Sequence, residues 1–288
     1  MPSTPLRPLF TNVLYRRLKA GQSINLVGLR GAGCSRALQD VAELIRNEGG
    51  TPILVDLNKY KYNYAGFVEE AQEQLLLSAG NNRTAQKAIE GEYPPVSLIL
   101  REHQTEHQHI YLLFDHFDAL LDDPGQRLPK HFYDDLNSLN NKPNISLCCV
   151  TEKPHLQYRV HYRDEKGEIT VTLSWLDLQH FDLPHLMEEE IQAELHKQLT
   201  DLPGWSEQDE GHYIKAISGH LHPLHYIDLL KTNLELHTDG LTPKQRTYQV
   251  ERKYAEVYNN RPKPKTNWDK IREQLLDFTL MIKNIRGK

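Results

Sequence analysis

Two short stretches hold residue types whose spacing could do chemistry. The first is Gly28-Leu29-Arg30-Gly31-Ala32-Gly33-Cys34-Ser35, with three other residues between the first pair of its glycine positions that matter, Gly28 and Gly33, besides Gly31 itself. Glycines let backbone N–H groups converge on one point, and the N-terminus of a following helix favours negative charge, so the expected ligand is a phosphate group. The pattern G-x-x-x-x-G-K-[ST] is met at Gly28, Gly33 and Ser35, but Cys34 stands where it has lysine. A lysine there offers positive charge to the outer phosphates during transfer, and cysteine has none to offer. Arg30 and Arg36 are the neighbouring cations that would have to replace it. Gly28, Arg30, Gly31, Ala32, Gly33, Cys34, Ser35 and Arg36 are therefore the expected phosphate-contacting set, with a ligand-free glycine turn as the plain alternative.

The second stretch is the apolar run Ile110 to Phe114, which ends in Asp115-His116-Phe117-Asp118. It has the form of a Walker B segment, in which the terminal aspartate holds Mg²⁺ and the next residue, an acid, polarises the attacking water. Asp115 and Ser35 are the expected metal ligands. The position of the second acid is taken by His116, a poor proton acceptor beside a polyphosphate, with Asp118, a helical turn along, as the group that would have to take over.

Elements that could position these residues occur in the required order. Ile24, Leu26 and Val27 read as a strand entering the glycine loop. Leu38, Val41 and Ile45 then recur at helical spacing up to the stop signal Gly49-Gly50. Ile53 to Leu57 reads as a second strand, followed by a helix through Phe67, Ala71 and Leu75. Residues 81–93 read as a loop or short helix, 96–103 as a further helix, and Phe132 to Leu139 as another before the strand Ile145 to Val150. Continuous apolar strands belong to a parallel sheet covered on both faces. Val160 to Arg163 and Ile169 to Leu173, flanking Asp164 to Gly167, read as a hairpin. Past Phe181 the texture turns helical, over Met187–Leu199, Gln208–Ile217, Pro223–Leu236 and Pro243–Tyr258. A last amphipathic helix carries Trp268, Ile271, Leu275, Phe278 and Ile282.

The order of these signals resembles the segment of STAND-type and AAA-like ATPases that reads approximately hhhhGPRGSGKT, matched here by Gln22 to Gly33, including Arg30 ahead of the second glycine. The strand Ser146 to Thr151 is similar to that family's sensor strand. Leu183-Pro184 and Ser218 to Pro223 resemble its phrases around a helical lid. The resemblance runs over roughly residues 8–230 and departs at Cys34 and His116. It implies an α/β P-loop NTPase fold of three layers with a parallel sheet, followed by a helical lid. The expected divisions are an α/β core over 1–180, a helical lid over 181–258, and a basic linker with an amphipathic helix over 259–288. It further implies ATP or ADP with Mg²⁺ at the carboxyl edge of the sheet, bound weakly or lost given the two departures. The implied role is a regulatory or scaffold module in a larger signalling, defence or mobile-element assembly. An active ATPase and a DNA-associated adaptor are the alternatives.

Composition is compatible with this outline. The 288 residues include 39% hydrophobic and 25% charged, the balance of an ordinary folded protein. No apolar stretch has the length of a membrane span, and the amino end lacks the layout of a secretion signal, so a cytoplasmic protein is expected, without membrane partners. Cys34, Cys148 and Cys149 have no metal-ligand spacing. A helix N-terminus would lower the pKa of Cys34, which makes a reactive thiol there a minor alternative. From residue 231 onward there are 13 Lys and Arg against 7 Asp and Glu, a net of +6, which leaves −11 of the total −5 to the preceding residues. That basic end either is solvated surface or contacts nucleic acid, and the amphipathic helix either docks on its own chain or binds a protein partner or second copy. Histidines 103, 107 and 109, and 220, 222 and 225, are better read as surface groups than as metal ligands.

Overall fold

Four apolar runs become strands of one parallel sheet, three of them interior. In β1 (Ile24–Val27), β3 (Ile110–Asp115) and β4 (Ile145–Thr151) every residue is buried, and in β2 (Thr51–Asp56) all but Leu54 and Asp56 are. The computed structural model describes residues 4–60, 63–78, 109–121, 130–163, 169–173, 176–236 and 241–259. Strands with no solvated face need cover on both sides. On one side α1 (Pro8–Lys19) and α2 (Cys34–Asn47) bring Leu14, Leu18, Leu38 and Val41 into one cluster with Ile24, Leu26 and Leu113. On the other, α3 (Tyr64–Ser78) and α4 (Lys130–Asn140) bring Phe67, Leu75, Phe132 and Leu136 onto Val55, Leu112, Phe114 and Leu147.

The sheet has the order β2-β3-β4-β1-β7, all strands parallel. Its fifth member, β7 (Gln179–Asp182), is not foreshadowed by the sequence, which reads as turning helical near Phe181. Three of its four residues are exposed, so no apolar run marks it. Backbone pairing makes it a strand: Gln179 N–H donates to the Ser23 carbonyl at 2.9 Å and Leu183 N–H to Val27 at 2.8 Å, in register with β1. Helix α1 is likewise absent from the sequence reading. The expected hairpin forms a separate antiparallel pair, β5 (Arg159–Arg163) and β6 (Ile169–Leu173), while its turn lies outside the described residues.

After β1 the chain crosses through α2 to the far edge strand β2, whereas after β4 it returns on the other side of β1 to form β7. The neighbouring carboxyl ends of β1 and β4 thus feed connections that leave in opposite directions. A crevice opens at such a switch point, which is where α/β sheets receive ligands.

Among the described residues four helices follow: α5 (Glu188–Leu199), α6 (Glu210–Ser218), α7 (Pro223–Leu236) and α8 (Pro243–Asn259). They bury a core of their own around Leu195, Ile217, Tyr226, Leu230 and Val250, which Leu6 from ahead of α1 joins. Among the described residues no helix is long and apolar enough to cross a membrane. The loop or helix expected over 81–103, the basic linker and the amphipathic helix of 268–282 lie outside the described residues.

Candidate functional site

β1 ends at Val27, and the chain turns through the glycines into α2, for which Gly33 is the N-cap. Gly31 and Gly33 have φ of +85° and +104°, left-handed values that an L side chain resists. Space is short as well. A Cβ on Gly31 would lie 3.1 Å from the Tyr258 hydroxyl, and one on Gly33 would lie 2.9 Å from Leu224 Cδ1, both on the following helices. A Cβ on Gly28 would come within 2.5 Å of Cys34 Sγ. The sulfur therefore folds back over the start of the loop, where a longer side chain would have to leave.

Loop, strand ends and helices enclose a cleft of about 630 Å³. Gly28, Arg30, Gly31, Gly33, Cys34, Ser35 and Arg36 line it, together with Asp115, His116 and Asp118 from the end of β3. Of the phosphate-contacting set only Ala32 stands back: its N–H donates to Leu29 O at 3.0 Å, and its carbonyl accepts from Arg7 Nη2 at 2.8 Å. The cleft also takes Asn58, Thr151 and Glu152, and His225, Asp228 and Tyr258 from α7 and α8. The sequence reading missed these six because they arrive from four places far apart in the chain, at 58, 151–152, 225–228 and 258. The strand reading Ser146 to Thr151 and the phrase Ser218 to Pro223 were the signals that pointed nearest to them.

The two expected substitute cations differ. Arg36 Nε is paired with Asp40 Oδ1 at 2.8 Å, one turn along α2, so its charge is already answered. Arg30 is exposed and lines the mouth without an ion pair or hydrogen bond among the described residues. Against them stand four carboxylates, Asp115, Asp118, Glu152 and Asp228. Burial, and next the nearby Glu152, pushes the Asp118 carboxyl above its ordinary value. A polyphosphate entering this surface needs a cation with it.

Cys34 is buried, and that burial, with Asp115 adding to it, pushes its thiol up to about 12. Burial works against the thiolate that a helix N-terminus would favour, which speaks for a neutral thiol at physiological pH and against the reactive-thiol alternative.

Asp115 Oδ1 accepts the backbone N–H of His116 at 3.0 Å. His116 adopts φ +51°, ψ +43°, a left-handed conformation found at no other non-glycine among the described residues. This turn sends its ring sideways to Asp56 at the end of β2, with Nδ1 2.9 Å from Asp56 Oδ1. A carboxylate only accepts, so Nδ1 carries the proton and Nε2 is the nitrogen left over. Where the pattern has an acid facing the water, this chain has an imidazole tied to a neighbouring strand.

Among the described residues no group of three or more His, Cys, Asp or Glu could hold a metal ion unaided. Ser35 and Asp115, both on the cleft wall, fit Mg²⁺, which takes one or two protein oxygens and completes its shell with water and phosphate. The histidines of α7 and its approach pack on tyrosines instead: His222 stacks on Tyr258 at 4.0 Å, His220 on Tyr226 at 4.6 Å, and His225 Nδ1 lies 2.6 Å from the Tyr258 hydroxyl.

No protein-family model and no curated protein matches the sequence. Solved structures do. Over 93% of this chain and 75% of the other, a Walker-type ATPase of Pyrococcus abyssi superposes with a TM-score of 0.55 at 13% identity. Drosophila ORC, in a structure bound to DNA, gives 0.53 at 14% identity over 91% of this chain. That match spans 65% of the fly chain, which extends well beyond it. The Aeropyrum pernix ORC2 protein, in its ADPNP and ADP complexes, gives 0.50 at 16% identity over 87% of this chain and 68% of its own. At such identities the likeness speaks for architecture alone. With the sheet order and the glycine loop at its switch point, it establishes that this chain has the three-layer P-loop NTPase fold of the AAA+ type, a parallel sheet flanked by helices and followed by a helical part.

Proposed function

We propose that the chain is a nucleotide-binding module that holds ADP or ATP with Mg²⁺ in the cleft and turns it over slowly or not at all. The observation that carries this is the pairing of a formed glycine loop with a cleft that holds neither the lysine nor the second acid of the pattern. Cys34 is neutral, and His116 is bound to Asp56. Binding needs the loop amides, which remain at the N-terminus of α2, whereas transfer needs the charge stabilisation lost at Cys34 and the water-polarising acid lost at His116. ADPNP and ADP complexes of a structural neighbour are in keeping with such a ligand. The helical part closes on the loop at Gly31 and Gly33, so nucleotide occupancy would be felt by α7 and α8. The module then acts through protein contacts, as a regulatory or scaffold component of the STAND-like or AAA-like kind, with a protein partner or further copies of itself.

A second reading, an active ATPase, is favoured by Arg30, the unpaired cation at the cleft mouth. A role beside DNA rests on the basic end of the chain and on the DNA-bound state of one neighbour.

Calorimetry with Mg²⁺ and ADP or ATP, with phosphate release measured in parallel, separates these on wild type and Cys34→Lys. Binding without turnover, tightened by Cys34→Lys, is expected. Rapid wild-type turnover would favour the second reading, and no binding by either form would refute the nucleotide site.

A further inference from the structure

Arg7 touches no carboxylate among the described residues, although those of Glu190 and Asp40 act on it through space. At 2% exposure it is among the most enclosed charged residues described. Its guanidinium donates from Nη2 to the Ala32 carbonyl at 2.8 Å and from Nε to the Pro184 carbonyl at 3.1 Å. The third nitrogen, Nη1, is buried without a hydrogen-bond partner. It points at the loop: a Cβ placed on Gly33, the N-cap of α2, would lie 3.0 Å from it.

The carboxylates that lie nearest are engaged elsewhere. Asp40 accepts the Leu6 N–H at 2.8 Å and pairs with Arg36, and Glu190 accepts the Met187 N–H at 3.0 Å. Among the described residues no ion pair joins Arg7. Two neutral carbonyls leave a full positive charge enclosed, an arrangement that is costly unless an anion completes it. Burial accordingly lowers its pKa, with the Glu190 carboxylate and, more weakly, that of Asp40 pulling the other way. Arginine remains charged even so, and its planar fork can hold two carbonyls while keeping a donor free.

We propose that Arg7 supplies, from behind the glycine loop, the positive charge that Cys34 does not, and that the anion it balances is the phosphate chain of a nucleotide bound at the N-terminus of α2. This rests on the nucleotide reading of the cleft and extends it. The charge has moved from the eight-residue loop to the segment ahead of α1, which the fold alone brings to that place.

The test uses the full chain, with Mg²⁺·ADP and inorganic pyrophosphate as probes in calorimetry. Far-ultraviolet circular dichroism serves as the check on folding. Arg7→Gln is expected to weaken binding of both probes roughly 10- to 100-fold, the effect of one charge acting through a partly screened interior. Arg7→Lys should remain within about threefold of wild type, since it keeps the charge. Adding Cys34→Lys to Arg7→Gln should restore most of the loss. Wild-type affinity in Arg7→Gln, or a double variant that folds without recovering, overturns the proposal while leaving the nucleotide reading intact. Should Arg7→Gln not fold, Arg7→Lys decides: a loss of binding as large as about 10-fold there makes Arg7 a brace for the loop and not its charge. Wild type binding pyrophosphate but not ADP would uphold the anion site and sink the nucleotide reading; binding neither sinks both.

Discussion

Replacing Gly28 by alanine tests where the Cys34 sulfur sits. The new Cβ would come within 2.5 Å of Sγ and within 3.1 Å of Leu183 Cβ. Ordinary non-bonded contacts lie at about 3.5–4.0 Å, so sulfur and carbon must separate by about 1 Å in an enclosed place. Overpacking of this size costs about 1–3 kcal/mol. Gly28 is not among the glycines with positive φ, so no backbone strain adds to the figure. Cys34→Ala alone removes one buried sulfur and should cost about 1 kcal/mol. If the clash with Sγ dominates, the two changes together cost less than their sum by at least about 1 kcal/mol, because the first fills the space that the second vacates. Urea denaturation of wild type, both single variants and the double variant measures this coupling. Additive costs would refute the placement of the sulfur. They would also remove the reason for expecting a lysine at position 34 to extend into the cleft.

Three further outcomes follow from the site and its supports. With the Cys34 thiol at about 12 in place of its ordinary 9.0, native chain should react with iodoacetamide at pH 8 about a thousandfold more slowly there than a free thiol, and at the ordinary rate once unfolded in urea. Gly33→Ala should cost about 2–4 kcal/mol, combining left-handed strain with the contact at Leu224. Gly49→Ala, with φ +79° and open space around it, should cost only about 1–2 kcal/mol, and equal losses in denaturation midpoints would show that steric contact adds nothing. His155 is buried against Asn25 and the Leu176 carbonyl, and burial lowers its pKa below the ordinary 6.5. The unfolded chain therefore binds this proton first as pH falls. Stability contributed by the neutral ring is full above about pH 6.5 and is lost below it, by up to about 1.4 kcal/mol per pH unit. Denaturation at pH 8, 6 and 5 should show that loss, and His155→Gln should reduce the slope.

Much of the core was legible because burial leaves a one-dimensional trace. The strands at Ile24, Ile53, Ile110 and Ile145 announce themselves as apolar runs, and α7 begins and ends where the spacing predicts, at Pro223 and Leu236. β7 left no trace, since Gln179, His180 and Asp182 face solvent and only backbone pairing to β1 makes them a strand. Helix α1 buries Leu14, Tyr15 and Leu18 on one face, a pattern that was present and passed over. Seven of the eight expected loop residues line the cleft because all fall on the single strand-to-helix turn between 28 and 36, where near neighbours in the chain have little choice of place.

Sequence by itself determined the chemistry available: a glycine loop without lysine, a strand-end aspartate without its acid neighbour, and the order of strands and helices that holds them. Local chain geometry and burial dictate those features, and both are written in residue types at short range. The tertiary structure decided which distant groups answer the missing ones. It turned His116 to Asp56 across two strands, set Tyr258 and Leu224 against Gly31 and Gly33, tied Arg36 to Asp40, and buried Arg7 behind the loop. Charge and hydrogen bonding act through space between residues far apart in the chain, and their partners exist only once the sheet order has brought the elements together.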